Sequence, residues 1–182
     1  MRDYLELADK GASAVCGGIS YEQCPPPSPS QAFYLRYSSR ASVAPARTRM
    51  LRPWAWVYTA NVMVARDTIS KVPFEEAFVG YGYEDLEWGL RLQGTGHLQH
   101  IDNSVTHLGL LTREELADKA AQAANNLVHL CRLHPSQAES LPLVRMARRL
   151  SCLPPPLLTT TARLSHRMFL SAHGPHSLLL FA

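Results

Sequence analysis

The pattern of apolar and polar positions predicts short helices and short strands in the first two thirds of the chain. Apolar residues recur at helical spacing over residues 1–12, where Gly11 is placed to end the helix, and residues 13–21 are typical of a short buried strand. Large aromatic residues among small and β-branched ones predict the clearest strand at residues 54–65. Alternating residues over 97–102 predict an edge or half-buried strand.

The last third of the chain is predicted to be helical. Thr112 and Glu115 have the spacing of a capping box, and the helix that they open is expected to end at His134. A further helix is predicted over residues 136–150, and residues 157–182, after three consecutive prolines, are either a peripheral helix or a disordered tail. The predicted inner side of the capped helix comprises Leu116, Ala120, Ala123, Ala124, Leu127, Leu130 and Cys131.

Between these parts lies a helix predicted over residues 83–94. Trp88 is assigned to the core, and Glu87 and Arg91 form an i,i+4 pair with the acid at the N-terminal position, which is the favoured order. Its apolar stripe is predicted to comprise Tyr83, Leu86, Leu90 and Trp88.

Two adjacent carboxylates, Glu84 and Asp85, begin this helix after a tight turn that Gly80 and Gly82 make possible. From the residues alone, they are either first-turn acids that stabilise the helix by about 0.3–1 kcal/mol each or part of a functional site. His107 follows the predicted strand, and it is either a hydrogen-bonded structural residue or a metal ligand.

Composition narrows the class of protein. The chain has 182 residues, 46% of them apolar, which is enough for one domain with a real core. It contains no apolar run of the roughly 20 residues needed to cross a bilayer, and its first residues do not resemble a signal peptide. The four cysteines lack metal-type spacing, so we expect free thiols and a cytoplasmic location.

The net charge of +3 is unevenly distributed. Residues 1–131 hold 12 Lys/Arg and 14 Asp/Glu, whereas residues 132–182 hold six Arg and a single acid, Glu139. Because these arginines lie among Leu, Met and Phe, we expect peripheral contact with the inner face of a membrane and no nucleic-acid binding. Residues 38–53 are also basic, and they either face phosphate or form a solvated loop.

A series of short motifs extends over roughly residues 10–131. In chain order it comprises Cys16-Gly17-Gly18, Tyr21, Leu35-Arg36-Tyr37, Asn61, Arg66, Val72-Pro73-Phe74, Gly80-Tyr81-Gly82-Tyr83-Glu84-Asp85, His100-Ile101-Asp102-Asn103 and His107-Leu108-Gly109. The series resembles the C-terminal half of the catalytic domain of glycosyltransferase family 2.

The resemblance implies a role for each residue of the central block. Asp85 would be the general base of an inverting transfer, Glu84 would position the acceptor hydroxyl, and His107 would be one ligand of Mn²⁺ or Mg²⁺. The substrate-binding residues would be Tyr81, Gly82, Tyr83 and Trp54, the aromatic ones by stacking on sugar rings. Asn61 is expected to bind buried backbone groups, and His97 and His100 are expected to be structural or solvated.

The resemblance also implies an α/β fold, a partial nucleotide-diphospho-sugar transferase (GT-A-like) architecture with a truncated mixed sheet and C-terminal helices. We expect residues 1–134 to be the C-terminal half of the catalytic domain and residues 135–182 a basic helical extension. The family's nucleotide-binding half, with its Asp-x-Asp motif, has no counterpart here, so the isolated chain is expected to be inactive.

The implied function is transfer of a sugar from a nucleotide-sugar donor to a glycan or lipid-linked acceptor, in the biosynthesis of a cell-envelope polysaccharide. The alternative is a non-catalytic carbohydrate-binding fragment that needs an upstream partner chain.

Overall fold

A small mixed sheet forms the framework of the first part of the chain. The computed structural model describes residues 2–36 and 44–171. The strands β1 (Ala14–Ser20), β2 (Val62–Val64) and β3 (Leu98–Thr106) have the order β2-β1-β3. Strand β2 is antiparallel to β1, and β3 is parallel to β1. The predicted α/β class, with a small mixed sheet and C-terminal helices, is confirmed.

Helices follow and separate these strands. They are α1 (Arg2–Asp9), α2 (residues 32–36), α3 (Ala46–Arg49), α4 (Arg66–Lys71), α5 (Glu84–Gln93), α6 (Arg113–Leu133), α7 (Pro135–Ala138), α8 (Pro142–Leu150) and α9 (Pro155–Leu170). The helices predicted at residues 1–12, 83–94 and 112–134 are confirmed. In the part of the chain that the structure describes, no helix is both long enough and apolar enough to span a bilayer.

The chain divides into two compact units. Unit 1 comprises Met1–Pro27, Leu35–Ala77 and Glu84–Gly109, and unit 2 comprises Ser28–Tyr34, Phe78–Tyr83 and Leu110–Ala182. Unit 1 therefore contains the sheet and α5, and unit 2 contains α6 to α9. The predicted boundary after residue 134, between part of a catalytic domain and a basic extension, stays a prediction.

The core of unit 1 lies between the sheet and α5. It is formed by Ala14, Cys16, Val57, Trp88, Leu92 and Leu98. Trp88 is 1% exposed, which confirms its assignment to the core, and its indole N–H donates to the Val72 carbonyl at 2.8 Å. The predicted stripe on α5 is therefore confirmed at Trp88, whereas Leu86 and Leu90 are only half-buried. The other fully buried side chains of α5 are those of Glu87 and Leu92.

The strand predicted at residues 54–65 is wrong over most of its length. The chain forms 3₁₀ turns at Pro53–Trp56 and Thr59–Asn61, and only Val62–Val64 is a strand. Pro53 fixes a backbone angle that suits the first turn, and this turn packs against α5 so closely that a Cβ at Gly89 would overlap the Trp54 carbonyl oxygen. Tertiary packing thus overrides the β preference of these residues.

The helix predicted over residues 136–150 is interrupted. Helix α7 ends at Ala138, Leu141 has extended backbone angles, and α8 begins at Pro142. A proline disfavours helical geometry in the residue before it and is well tolerated in the first turn of a helix, which explains the new start. In the same way α9 begins within the proline run, at Pro155, and the predicted tail beyond residue 171 lies outside the described residues.

Helix α6 begins as the sequence predicts. The Thr112 hydroxyl accepts from the Glu115 N–H, and the Glu115 carboxylate accepts from the Thr112 N–H, which completes the capping box. Its buried side chains are those of Arg113, Leu116, Ala117, Asn126 and Leu130. Leu116 and Leu130 confirm part of the predicted inner side, whereas Ala124 is exposed.

The buried polar residues of α6 have specific partners within unit 2. Asn126 donates to the carbonyl of Gly82 at 2.9 Å. Arg113 donates to the Phe169 carbonyl at 2.7 Å, and its guanidinium lies over the Phe33 ring, 4.4 Å from the centroid. These contacts attach two short segments that are distant in sequence to α6.

Candidate active site at the carboxyl edge of the sheet

The carboxyl ends of β1 and β3 form one edge of the sheet. His107 follows β3 directly, and its N–H donates to the Ser20 carbonyl at the end of β1, at 2.8 Å. Because β2 is antiparallel to β1, with Val62 opposite Cys16, the residues that precede β2 lie toward the same edge. In open α/β sheets, ligands bind outside the carboxyl ends of the strands.

Asp85 is tied to this edge by a backbone group. Its Oδ2 accepts from the Thr59 N–H at 3.3 Å, and Thr59 lies in the 3₁₀ turn just before β2. Burial raises the pKa of the Asp85 carboxyl above its ordinary value. The hydrogen bonds from Thr59 lower this pKa in part, and the neighbouring Glu84 raises it. The result is a half-buried carboxylate that is a stronger base than an exposed one.

The three chemically reactive residues of the prediction share an unusual property. Among the described residues, four buried polar atoms have no hydrogen-bond partner: Asp85 Oδ1, Glu84 Oε2, His107 Nδ1 and, outside the predicted site, His129 Nε2. Such atoms are few in native proteins, and each requires an explanation. One explanation is that a substrate or an ion binds them.

His107 is held by its surroundings while this nitrogen remains available. Its ring lies 5.6 Å from the Tyr21 ring, centroid to centroid, at a tilt of 46°. A Cβ at Gly109 would come to 3.1 Å from His107 Cε1 and 3.7 Å from Nδ1, so the glycine leaves space beside the imidazole. An unpartnered imidazole nitrogen fits one metal ligand. The described residues contain no group of three or more His, Cys, Asp or Glu side chains that could hold a metal ion.

The substrate-binding residues of the prediction are divided between the two units. Trp54 belongs to unit 1, where it is half-buried in the 3₁₀ turn beside Gly89 instead of on a strand. Tyr81, Gly82 and Tyr83 belong to unit 2.

Within unit 2, the glycine turn has the left-handed geometry that the sequence predicts. The φ angles of Gly80, Gly82 and Tyr83 are 82°, 97° and 70°. Such angles are rare for a residue with a side chain, so Tyr83 is held in a strained conformation. Tyr81 is 43% exposed, with Lys119 Nζ 4.4 Å from its ring centroid. Tyr81 is therefore partly exposed, with the Lys119 ammonium group over its ring.

A buried arginine binds the middle of β1 and the first half of β3, behind the edge, and the sequence did not reveal it. Arg49 is 1% exposed and donates to the carbonyls of Gly17, Ile101 and Ala44 and to His100 Nδ1. The expectation that residues 38–53 form a solvated loop or face phosphate is wrong for Arg49, and residues 38–43 lie outside the described residues. We call Arg49, His100 and the three carbonyls the Arg49 cluster.

Two further expectations are confirmed nearby. His100 is structural: because Arg49 only donates, His100 Nδ1 accepts, and its Nε2–H donates to the Pro53 carbonyl at 3.0 Å. His97 is exposed. The Asn61 amide donates to the carbonyls of Gly18 and Asn103, both at 2.8 Å, and so satisfies backbone groups.

No sequence pattern indicated two other features of the site. The Thr59 N–H that holds Asp85 is a backbone group, and no side-chain pattern predicts it. Cys16 is fully buried, and burial raises the pKa of its thiol to about 12, with Asp85 adding to the shift and Arg49 opposing it. The thiol therefore stays protonated and is not a nucleophile.

Part of the chain is similar to two curated proteins. They are the validoxylamine A glucosyltransferases of Streptomyces hygroscopicus subsp. jinggangensis (strain 5008) and Streptomyces hygroscopicus subsp. limoneus, each 42% identical over 50 residues. These residues are 27% of this chain, but only 12% and 11% of the two relatives, so the match covers a small share of their length. This chain is a weak partial homologue of a glycosyltransferase. No family model and no solved structure matches it, and membership of family 2 stays a prediction.

Proposed function

We propose that this chain provides the acceptor side of an inverting, family 2-like glycosyltransferase with a partial GT-A-like fold. The enzyme would transfer a sugar in the cytoplasm from a nucleotide-sugar donor to a glycan or lipid-linked acceptor. The observation that carries the proposal is the pair of unpartnered carboxylate oxygens on Glu84 and Asp85 at the edge of the sheet.

Asp85 would act as the general base. Its Oδ2 is occupied by the Thr59 N–H, which leaves the buried Oδ1 to accept the proton of an acceptor hydroxyl. A base is most effective when its pKa is raised toward the working pH, and burial raises the pKa of Asp85 in that direction. The free oxygen of Glu84 would accept a second hydrogen bond from the acceptor and orient it for in-line attack.

His107 would hold a divalent cation, Mn²⁺ or Mg²⁺, through Nδ1, and the cation would neutralise charge on the departing diphosphate. Within unit 2, Tyr81 and Tyr83 would stack on sugar rings beside Gly82, and Trp54 would stack on a sugar ring from unit 1. Because the two similar proteins are named glucosyltransferases, nucleotide-activated glucose is the first donor to assay.

The test compares Asp85→Asn with Asp67→Asn in the protein encoded by the complete gene. Both residues are acids in the first turn of a helix, and Asp67 is exposed on α4. We expect Asp85→Asn to lower the rate of nucleoside diphosphate release by at least about a hundredfold, the usual contribution of a general base. Asp67→Asn should retain nearly full activity.

Equal activities of the two variants would show that Asp85 is a helix-stabilising acid and would refute the proposal. Circular dichroism of both variants verifies that a loss of activity is not a loss of fold.

A further inference from the structure

Helix α9 exposes an apolar stripe on one face. Leu157, Leu164 and Met168 are 49%, 58% and 43% exposed, and Thr161 lies between the two leucines. Their spacing of seven and four residues places them on one side of the helix. At 1.5 Å per residue, the stripe is about 16 Å long. Exposed large apolar side chains aligned in this way are characteristic of an interaction surface.

A neighbouring face of α9, about 120° around the helix at Phe169, is anchored, so the stripe cannot rotate inward. Phe169 is 1% exposed, and its ring meets that of Phe33 edge to face at 5.8 Å. The Arg113 guanidinium donates to the Phe169 carbonyl and lies 5.3 Å from the centroid of its ring. Ser165, one turn before Phe169, is also buried. These contacts fix which side of α9 faces outward.

The hydroxyl groups beside the stripe are satisfied within the helix. Thr160 donates to the Pro156 carbonyl at 2.9 Å, and Thr161 donates to the Leu157 carbonyl at 2.8 Å. A hydroxyl bonded to its own helix needs no water. These threonines therefore present their methyl groups at low cost to an apolar surrounding.

Positive charge lies next to the stripe. Arg167 lies three residues after Leu164 and so flanks the stripe, Arg163 lies one turn before Arg167, and both arginines are exposed. Helix α9 has no acidic residue. The single acid of residues 132–182, Glu139, is paired with Arg148 of α8, 2.9 Å apart.

We propose that α9 lies on an anionic lipid surface, with its apolar stripe inserted at the acyl boundary and Arg163 and Arg167 at the headgroups. An amphipathic helix with arginines beside its apolar side chains fits this position. Nucleic acid would contact the arginines but leave Leu164 and Met168 in water. The arginine excess fits anionic headgroups, and the surface is independent of the proposed transferase activity.

The first arm of the test removes one apolar side chain. Leu164→Glu is compared with Val128→Glu, which changes the charge equally at a residue of α6 that is 51% exposed. Both proteins are centrifuged with vesicles of 30% phosphatidylglycerol and 70% phosphatidylcholine. We expect Leu164→Glu to weaken partitioning roughly tenfold or more, from the lost burial of one leucine. Val128→Glu should bind like the unmodified protein.

The second arm removes charge. Arg163→Gln with Arg167→Gln should weaken binding to the same vesicles roughly 25-fold, at about fivefold for each arginine. The control is Arg52→Gln with Arg66→Gln, which removes two exposed arginines of unit 1 and should have little effect. Vesicles of phosphatidylcholine alone should bind the unmodified protein weakly.

Several results would overturn the inference. One is failure of the unmodified protein to sediment with the anionic vesicles, and another is equal binding by the Leu164→Glu and Val128→Glu variants. Concentration-dependent dimerisation that Leu164→Glu abolishes would assign the stripe to a second copy of the chain. Binding of an oligonucleotide in preference to vesicles would assign the arginines to nucleic acid.

Discussion

The Arg49 cluster is predicted to be the most sensitive point of unit 1, and Arg49→Met tests this. The guanidinium donates to Gly17 O at 2.7 Å, Ile101 O at 2.7 Å, Ala44 O at 2.9 Å and His100 Nδ1 at 2.9 Å. It therefore connects β1, β3 and the segment before α3. Methionine fills a similar volume and makes none of these bonds.

The expected loss of stability in Arg49→Met follows from the hydrogen-bond acceptors that would be left without a donor. Three carbonyl oxygens and one imidazole nitrogen, all buried or half-buried, would lose a donor. At about 1 kcal/mol for each acceptor, the free energy of unfolding should fall by about 4 kcal/mol. The free energy of unfolding of native proteins is about 5–15 kcal/mol, so this loss would be a large share of the total stability. Asp102 adds little to the cluster, because its carboxylate is 3.8 Å from Arg49 and its side chain is 69% exposed.

The assay is urea unfolding followed by tryptophan fluorescence. All three tryptophans, Trp54, Trp56 and Trp88, belong to unit 1, so the signal reports on that unit. The matched control is Arg47→Met, at an exposed arginine of the same short helix. It should change the free energy of unfolding by no more than about 0.5 kcal/mol.

A difference of less than about 1 kcal/mol between the Arg49 and Arg47 variants would refute the reasoning. If Arg49→Met does not fold, Arg49→Lys serves instead. Lysine keeps the charge and loses the planar fork of donors. The free energy of unfolding of Arg49→Lys should therefore be about 1–3 kcal/mol lower than that of the unmodified protein.

Two further predictions concern titration. Burial lowers the pKa of His100, and Arg49 lowers it further, against the hydrogen bond to Pro53, so the unfolded chain binds more protons below about pH 6.5. The stability that neutral His100 contributes is therefore fully present above that pH and is lost as the pH falls toward the folded-state pKa. Equal urea midpoints at pH 5 and pH 7.5 would contradict this. The variant His100→Asn should show a weaker dependence of the urea midpoint on pH. The pKa of Asp85 is raised, so its ionisation opposes folding as the pH rises through that value. At pH 7 Asp85→Asn should leave the urea midpoint unchanged or raise it, whereas Asp67→Asn should lower stability by about 0.3–1 kcal/mol; a clear loss with Asp85→Asn would show that the carboxylate stabilises the fold.

The sequence predicted the elements whose signals are local. The capping box of Thr112 and Glu115 gave the start of α6, and Gly80 and Gly82 gave the turn before α5, because both signals come from residues within one turn of the chain. The missed break at Pro142 was also a local signal, since a proline limits the residue before it. These elements require no knowledge of the tertiary structure.

Other features depend on contacts between distant residues, and no local pattern contains them. The aromatic residues after Pro53 suit a strand, yet they form a turn because Gly89, far along the chain, lets the Trp54 carbonyl approach α5. Arg49 lies in a basic segment that is typical of a solvated loop. Its burial becomes intelligible only when the carbonyls of Gly17 and Ile101 are seen to converge on it.

The two interpretations of the carboxylate pair, as helix-stabilising acids or as functional groups, differ in the burial and the hydrogen-bond partners that they require of the side chains. An acid that acts only on the helix dipole gains nothing from burial, because desolvation penalises its charge. Asp85 is nevertheless half-buried, and its bonded oxygen accepts from Thr59 in another element. Glu84 and Asp85 each keep one buried oxygen for which the described residues offer no donor. Two adjacent carboxylates thus each bear the desolvation penalty of a buried oxygen without a donor, which favours a bound hydroxyl group as the missing partner.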